Sequence, residues 1–318
     1  MENTTMENTR TKTTRNSLIL LLTAAIWGMA FVSQSKGMDY MHPFTFNGVR
    51  SLIGAASILV YILISRKIAG DKAAPLDWKL NVKAGFLCGI FLTIASTLQQ
   101  FGIKYTSVGK AGFITTLYII FVPMFGIFLK KKVAPVVWAA AVMVGMYLLC
   151  MTESLRLGAG DIMVFLCAIA FAIQIMTVDH YAARIDGAVV SCIQFTVCGV
   201  VCCIGALIWG QPTFGQLQEG LGALLYAGVL SCGVGYTLQI VGQKGLNPTV
   251  AALIMSLESV IATISGWIAY KIGFLTTDQT LTARQIAGCV IVFAAVILVQ
   301  LPPEWFRFGK KNASIKNA

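Results

Sequence analysis

Charge is scarce in this chain, and acidic charge is scarcest. Only 12% of its 318 residues are charged, and 13 acids stand against 24 lysines and arginines. Water-soluble domains carry about 25% charged residues, so the composition speaks against an ordinary soluble domain. Histidine is nearly absent: His42 and His180 are too few and too far apart to build a metal site. No CxxC spacing occurs. The nine cysteines (Cys88, Cys150, Cys167, Cys192, Cys198, Cys202, Cys203, Cys232 and Cys289) all lie inside apolar runs. They read as small packing residues, not as disulfides or zinc ligands. No Gly-rich phosphate loop is present, which argues against a built-in ATP motor. The net charge of +11 invites a nucleic-acid reading, but the basic residues sit between apolar runs instead of on one face. No cofactor, metal or nucleic-acid partner is expected.

What the chain has in abundance is hydrophobic length. Ten apolar runs fall at roughly 18–35, 44–65, 84–103, 108–129, 134–151, 160–178, 188–209, 220–241, 248–270 and 284–301. Each is near the ~20 residues a helix needs to cross ~30 Å of hydrocarbon. The runs are continuous, with no strand-like alternation, and about twice the length of a barrel strand. In hydrocarbon the backbone must satisfy its own hydrogen bonds, which leaves helices for such runs. The expected fold is therefore an all-α integral membrane protein of ten transmembrane helices in the lipid bilayer. Residues 1–17, polar and Thr/Asn-rich, read as a disordered tail, and 302–318 as a basic tail. The first run after a basic segment could mimic a signal peptide, but nine more follow, so it reads as a first span.

The chain also repeats itself. The stretch TLQQFGIKYTSVGKAGFITTLYIIFVP, Thr97 to Pro123, reappears 140 residues later as TLQIVGQKGLNPTVAALIMSLESVIAT, Thr237 to Thr263. Identical pairs include Thr97/Thr237, Gln99/Gln239, Gly102/Gly242 and Lys104/Lys244; several are polar or glycine, so shared apolarity alone does not explain them. At an offset of 144, Trp27 falls on Phe171, Asn47 on Ser191 and Arg50 on Gln194. Long-period self-similarity marks two copies of one unit, here 18–151 and 160–301. Five spans per copy is odd, so the copies enter the membrane from opposite faces. Inverted repeats recur in secondary transporters, with the site near the midplane between them. Helix association without water needs small residues. Thr249, Ala252, Ser256, Ser259, Thr263 and Gly266 form such a stripe, and Gly85 and Gly89 serve the third run.

Orientation follows from Lys and Arg. Seventeen lie on the side of the amino terminus, including Arg66, Lys67, Lys72, Lys79 and Lys83, against six on the other side. The bias places both termini in the cytoplasm.

Certain strings carry a family resemblance: WGMAFV at 27–32, Pro43 with Phe46 and Arg50, YTSVGKAGFITTLYIIFVP at 105–123, GDIMVFLCAIAFAIQI at 160–175 and AALIMSLES at 251–259. From about 18 to 301 the chain resembles a ten-span transporter of the drug/metabolite transporter superfamily, EamA type. The resemblance implies a metabolite transporter of the cytoplasmic membrane, often an exporter of amino acids or related solutes. It also puts Trp27 near a cavity. Two departures stand out. Glu258 is followed by Ser259 where the family commonly has proline, which implies a straighter ninth helix. Gln279 stands where the family commonly has glutamate before the last span.

The candidate substrate-binding residues are Glu258, Tyr118, Gln239, Gln99, Gln174, Trp27, Arg50 and Gln194. Glu258 lies about ten residues into its run, about 15 Å deep. A buried acid is costly, so it is neutral, paired, or facing a wet cavity. It can exchange a proton, hold a substrate ammonium, or serve only as a neutral bond between helices. Tyr118 falls opposite it in the repeat and can equally be a packing aromatic. Arg50, inside the second run, either bridges carbonyls or attracts an anionic solute. Glutamines in spans, Gln100 among them, are as well explained by helix-to-helix bonding as by a pore lining. Trp27 is also a common packing residue. Lys110 and Lys244 read as snorkelling side chains. A passive facilitator or channel is the nearer alternative to a carrier, although neither like-residue rings nor filter loops appear. A membrane-embedded enzyme is the remote one, since one deep acid and no deep histidine do not make a catalytic cluster. Solute identity, direction, proton coupling and oligomeric state are not written in these residues.

Overall fold

The computed structural model describes residues 2–70, 75–129, 158–276 and 278–300. The run at 134–151 and the tail at 302–318 lie outside the described residues. The described chain is helical: α1 Glu2–Gly37, α2 Pro43–Ala69, α3 Trp78–Ile103, α4 Val108–Thr116, α5 Tyr118–Phe128, α6 Ala159–Tyr181 and α7 Gly187–Gly205, followed by a π-helical turn Ala206–Gly210. Then come α8 Phe214–Glu219, α9 Leu221–Leu225, a π-helical stretch Tyr226–Gly235, α10 Tyr236–Gln243, α11 Pro248–Met255, α12 Leu257–Lys271 and α13 Ala283–Gln300. Among the described residues, eight segments are long and apolar enough to cross a membrane, from Thr13–Gly37 to Pro248–Lys271.

Polar side chains decide where the helices start. His42, Asp77, Ser107, Asp186 and Asn247 each accept a bond from a backbone N–H in the first turn of the helix that follows. Such caps satisfy donors that the helix itself leaves open. The Asp77 cap is why α3 begins six residues before the expected apolar boundary at 84. The amino-terminal segment departs from expectation more strongly. Instead of a disordered tail to residue 17, α1 is helical from Glu2, and Asn16 and Ser17 are buried. The Asn16 amide donates to the Lys244 carbonyl at 2.6 Å, which anchors the turn; helix then propagates outward at little cost per residue.

Two membrane-crossing segments are broken near mid-length, at Leu117 between α4 and α5 and at Ser256 between α11 and α12. Both breaks close with i→i−3 bonds, from Leu117 N to Ile114 O at 3.2 Å and from Ser259 N to Ser256 O at 3.1 Å. Ser256 and Ser259 hydroxyls also take i−3 carbonyls, at 2.7 and 2.8 Å. Such back-bonding competes with the ladder and bends helices. Even without proline at Ser259, the helical ladder of this segment is therefore interrupted at Ser256.

Packing is by close approach of small residues. Gly85 and Gly89 of α3 leave no room for a Cβ against Ile193 and Val197 of α7. The stripe from Thr249 to Gly266 is buried, and its Thr263 and Ser259 meet Gly109 and Gly112 of α4. The contacts come in exchangeable sets. α3 packs on α6 as α10 packs on α1, and α5 packs on α6 as α12 packs on α1, while α2 packs on α7. Gly102 meets Val164, and Gly242 meets Leu20; these pairs map onto one another at the offsets of 140 and 144.

Candidate functional site

The helices converge on a small cavity of about 30 Å³. That is room for a water molecule or two. Its lining draws on Trp27, Phe31 and Gln34 of α1, Arg50 and Ser51 of α2, and Leu92, Ser96 and Gln99 of α3. Thr115 and Tyr118 enter from either side of the Leu117 break, and Phe171, Gln174 and Ile175 from α6. Phe195, Ser231, Cys232, Tyr236, Gln239 and Glu258 complete it. Fourteen of these nineteen residues form seven pairs at the repeat offsets: Trp27/Phe171, Phe31/Ile175, Ser51/Phe195, Leu92/Cys232, Ser96/Tyr236, Gln99/Gln239 and Tyr118/Glu258. Positions matched by the sequence repeat thus line one space. Arg50 breaks that pattern, because its counterpart Gln194 is not in the lining.

Glu258 is 3% exposed and sits in the first turn of α12. The Tyr118 hydroxyl, at the first residue of α5, donates to Glu258 Oε1 at 3.1 Å. Tyr118 directly follows the Leu117 break, and Glu258 lies two residues after Ser256, so each break stands beside a polar group of the cavity. Arg50 is 5% exposed, with its guanidinium carbon 5.3 Å from the centre of the Phe46 ring. Its Nε has no hydrogen-bond partner, and no ion pair joins Arg50 to an acid among the described residues. A buried cation and a buried carboxyl group therefore share one cavity without being paired to each other.

The glutamines form a chain. Gln239 Nε2 donates to Gln174 Oε1 at 3.2 Å, and Gln174 Nε2 donates to Gln194 Oε1 at 3.4 Å. The ends of the chain, Gln239 Oε1 and Gln194 Nε2, are buried without partners. Gln99 Nε2 donates to Thr115 Oγ1 at 3.1 Å. Gln100 turns away and bonds the Gln34 carbonyl at 3.1 Å, so it joins helices and does not line the cavity. Trp27 forms a wall: its indole N–H donates to the Ser231 carbonyl at 3.4 Å, and its ring lies 4.5 Å from that of Tyr236. Seven of the eight candidate residues thus meet at the cavity, and Gln194 touches it only through Gln174.

Lys110 is not a simple snorkelling side chain. Its Nζ lies 2.6 Å from Asp161 Oδ2, and Asp161 also accepts from the Thr106 hydroxyl at 2.9 Å and Gly158 N at 2.8 Å. Sequence reasoning also missed Ser96 and Tyr236. The signal was present: each immediately precedes a Thr-Leu-Gln triplet of the repeat. Among the described residues no group of three or more potential metal ligands forms.

Comparison with known proteins agrees with this architecture. The EamA-like transporter family matches residues 15–152 and 158–301. An uncharacterized transporter of Archaeoglobus fulgidus is 28% identical over 288 residues, covering 89% of this chain and 84% of its own. An uncharacterized transporter of Clostridium kluyveri is 22% identical over 298 residues, covering 88% and 91%. A solved crystal structure superposes with a TM-score of 0.71 over 93% of this chain and 99% of its own. At 16% identity that likeness is one of fold alone.

Proposed function

The chain belongs to the EamA-like transporter family, and from that premise we propose that it is a secondary transporter that exports amino acids or related zwitterionic metabolites by alternating access. It works as a ten-span protein of two inverted five-helix repeats in the cytoplasmic membrane, with both termini inside. The repeat reading is supported by the seven offset-related pairs in the cavity and by the exchangeable helix contacts. One unit packed two ways gives inward-open and outward-open states of similar energy, which is what alternating access needs.

The observation that carries the substrate class is the unpaired coexistence of Arg50 and Glu258 in one cavity. A substrate carboxylate fits the guanidinium, whose planar donors match it bidentately. A substrate ammonium fits Glu258 once the Tyr118 hydroxyl shares the carboxylate. The glutamine chain supplies neutral donors and acceptors between these poles. At about 30 Å³ the cavity is too small for such a solute, so binding requires the helices to part. That favours a carrier over a standing pore. Export is the direction implied by the family resemblance, and Glu258 is the group through which a proton would couple.

Counterflow in proteoliposomes tests the reading. Vesicles preloaded with unlabelled amino acid should accumulate labelled amino acid transiently above equilibrium, with saturation. Flux that is linear in concentration and shows no counterflow would identify a passive pathway and overturn it.

A further inference from the structure

A second space lies at the face of the bundle that holds the amino-terminal end of the first span. Here the end of α2, the starts of α3 and α7, and the end of α10 leave a crevice of about 620 Å³. Three cations line it: Arg66, Arg184 and Lys244. The two acids of the lining, Asp77 and Asp186, are engaged as helix caps, with Asp77 accepting from Leu80 N at 3.0 Å and Asp186 from Ala188 N and Val189 N at 3.0 and 3.1 Å. Asn81 holds the back wall rigid. Its Nδ2 donates to the Asp77 carbonyl at 2.8 Å, and its Oδ1 accepts from Asp186 N at 2.9 Å. Its edge on α2 is apolar: Tyr61 of the lining is 60% exposed, with Leu63 and Ile64 exposed nearby on the same helix.

The opposite face of the bundle shows why this space stays open. There, Phe44 packs on Phe101 and Trp209, with ring centres 5.1 and 5.5 Å apart. At the repeat offsets of 144 and 140, Phe44 corresponds to Ala188, Phe101 to Val241 and Trp209 to Ser65. All three of these smaller residues line the crevice. Where one face carries an aromatic plug, the other carries small side chains around a positively charged hollow.

We propose that this crevice binds the phosphodiester headgroup of an anionic phospholipid, with an acyl chain running along the exposed face of α2. Basic pockets between membrane helices suit such headgroups, because each Lys or Arg attracts the phosphate at the membrane surface. A zwitterionic phosphatidylcholine offers the same phosphate but adds a cation to a lining where three cations already outnumber two carboxylates. The comparison of faces uses the internal repeat; the charge and volume of the crevice stand without it, and nothing here depends on which solute is transported.

Native mass spectrometry of the detergent-purified protein tests this. Titration with dioleoylphosphatidylglycerol should leave a bound lipid retained at least about ten-fold more tightly than dioleoylphosphatidylcholine. Arg184→Gln and Lys244→Gln, both at exposed side chains, should each weaken it about five-fold. Ala188→Phe, or Ser65→Phe should the first variant misfold by size exclusion, should abolish retention with every charge in place. Equal binding of the two lipids, or wild-type retention in these variants, would overturn the proposal. So would displacement of the lipid by millimolar inorganic phosphate, which would make the crevice a free-anion site.

Discussion

Tyr118 and Glu258 lie 140 residues apart in the chain and meet side chain to side chain across the centre of the bundle, the phenol donating to the carboxyl group at 3.1 Å. They are equivalent positions of the two repeats, and each follows a break in its helix. The bond therefore joins the two repeat-related stretches beside the interruptions in both helices. A part of the protein that opens this cavity has to stretch or break that bond. Removing the phenol while keeping the ring, in Tyr118→Phe, leaves a buried acceptor short of its donor. The cost of such a group is about 1–3 kcal/mol, read as a fall in thermal stability in detergent, together with altered transport kinetics.

Arg50 should act on affinity. Arg50→Gln removes a hydrogen-bonded counter-charge for a substrate carboxylate, a bond worth about 1.5–3 kcal/mol. The half-saturating concentration for an amino acid should rise about ten- to hundred-fold, while the amine analogue lacking the carboxylate is unaffected. A variant that loses both substrates equally would assign Arg50 to structure.

The Lys110–Asp161 pair should act on stability. Asp161 is 4% exposed, and its side chain serves three donors. Asp161→Ala removes the carboxylate that Lys110, Thr106 and Gly158 share and should cost about 3 kcal/mol, at the low end for a broken pair with one buried partner. Thermal unfolding in detergent measures it. A shift no larger than that of an exposed substitution would show that the pair contributes little.

Gly102 and Gly242 offer a matched test of the repeat. A Cβ at Gly102 would clash with Val164, and one at Gly242 would sit 2.7 Å from the Leu20 side chain. Alanine at either position should destabilise by a similar amount, about 1–3 kcal/mol. A large cost at one and none at the other would break the equivalence of the two packing sites.

Topology follows from charge. Reporters active only in the cytoplasm should be active when fused after Asn317 and within the segment Lys67–Lys79. An inactive carboxyl-terminal fusion would contradict the ten-span count.

Much of this was legible in the sequence, and the reasons are specific. Run length gave the membrane helices, because hydrocarbon thickness sets a length that few other folds need. The repeat gave Tyr118, Glu258, Gln99 and Gln239, because equivalent positions of two copies face the same central space. Ser96 and Tyr236 obeyed the same rule three residues before Gln99 and Gln239 and were passed over, since a serine and a tyrosine differ too much to register as a match. The Lys110–Asp161 pair was invisible, because nothing in one sequence says which acid a lysine at a helix start will find. The break at Ser256 was hidden for a related reason: it is made by hydroxyls bonding backward to carbonyls, a choice open to any serine in a helix. The helical start at Glu2 escaped because Thr/Asn-rich composition is weighed without knowing that Asn16 has a carbonyl to hold.

The most direct test of the account is amino-acid flux through proteoliposomes bearing Glu258→Gln, measured across imposed pH gradients. Glutamine keeps the shape and the hydrogen-bonding capacity but neither the charge nor the exchangeable acid proton. The account predicts a folded, inserted protein whose flux falls at least about ten-fold, the loss expected for a charge-assisted bond to substrate, and whose remaining flux no longer responds to pH. Wild-type flux with wild-type pH response in this variant would contradict it.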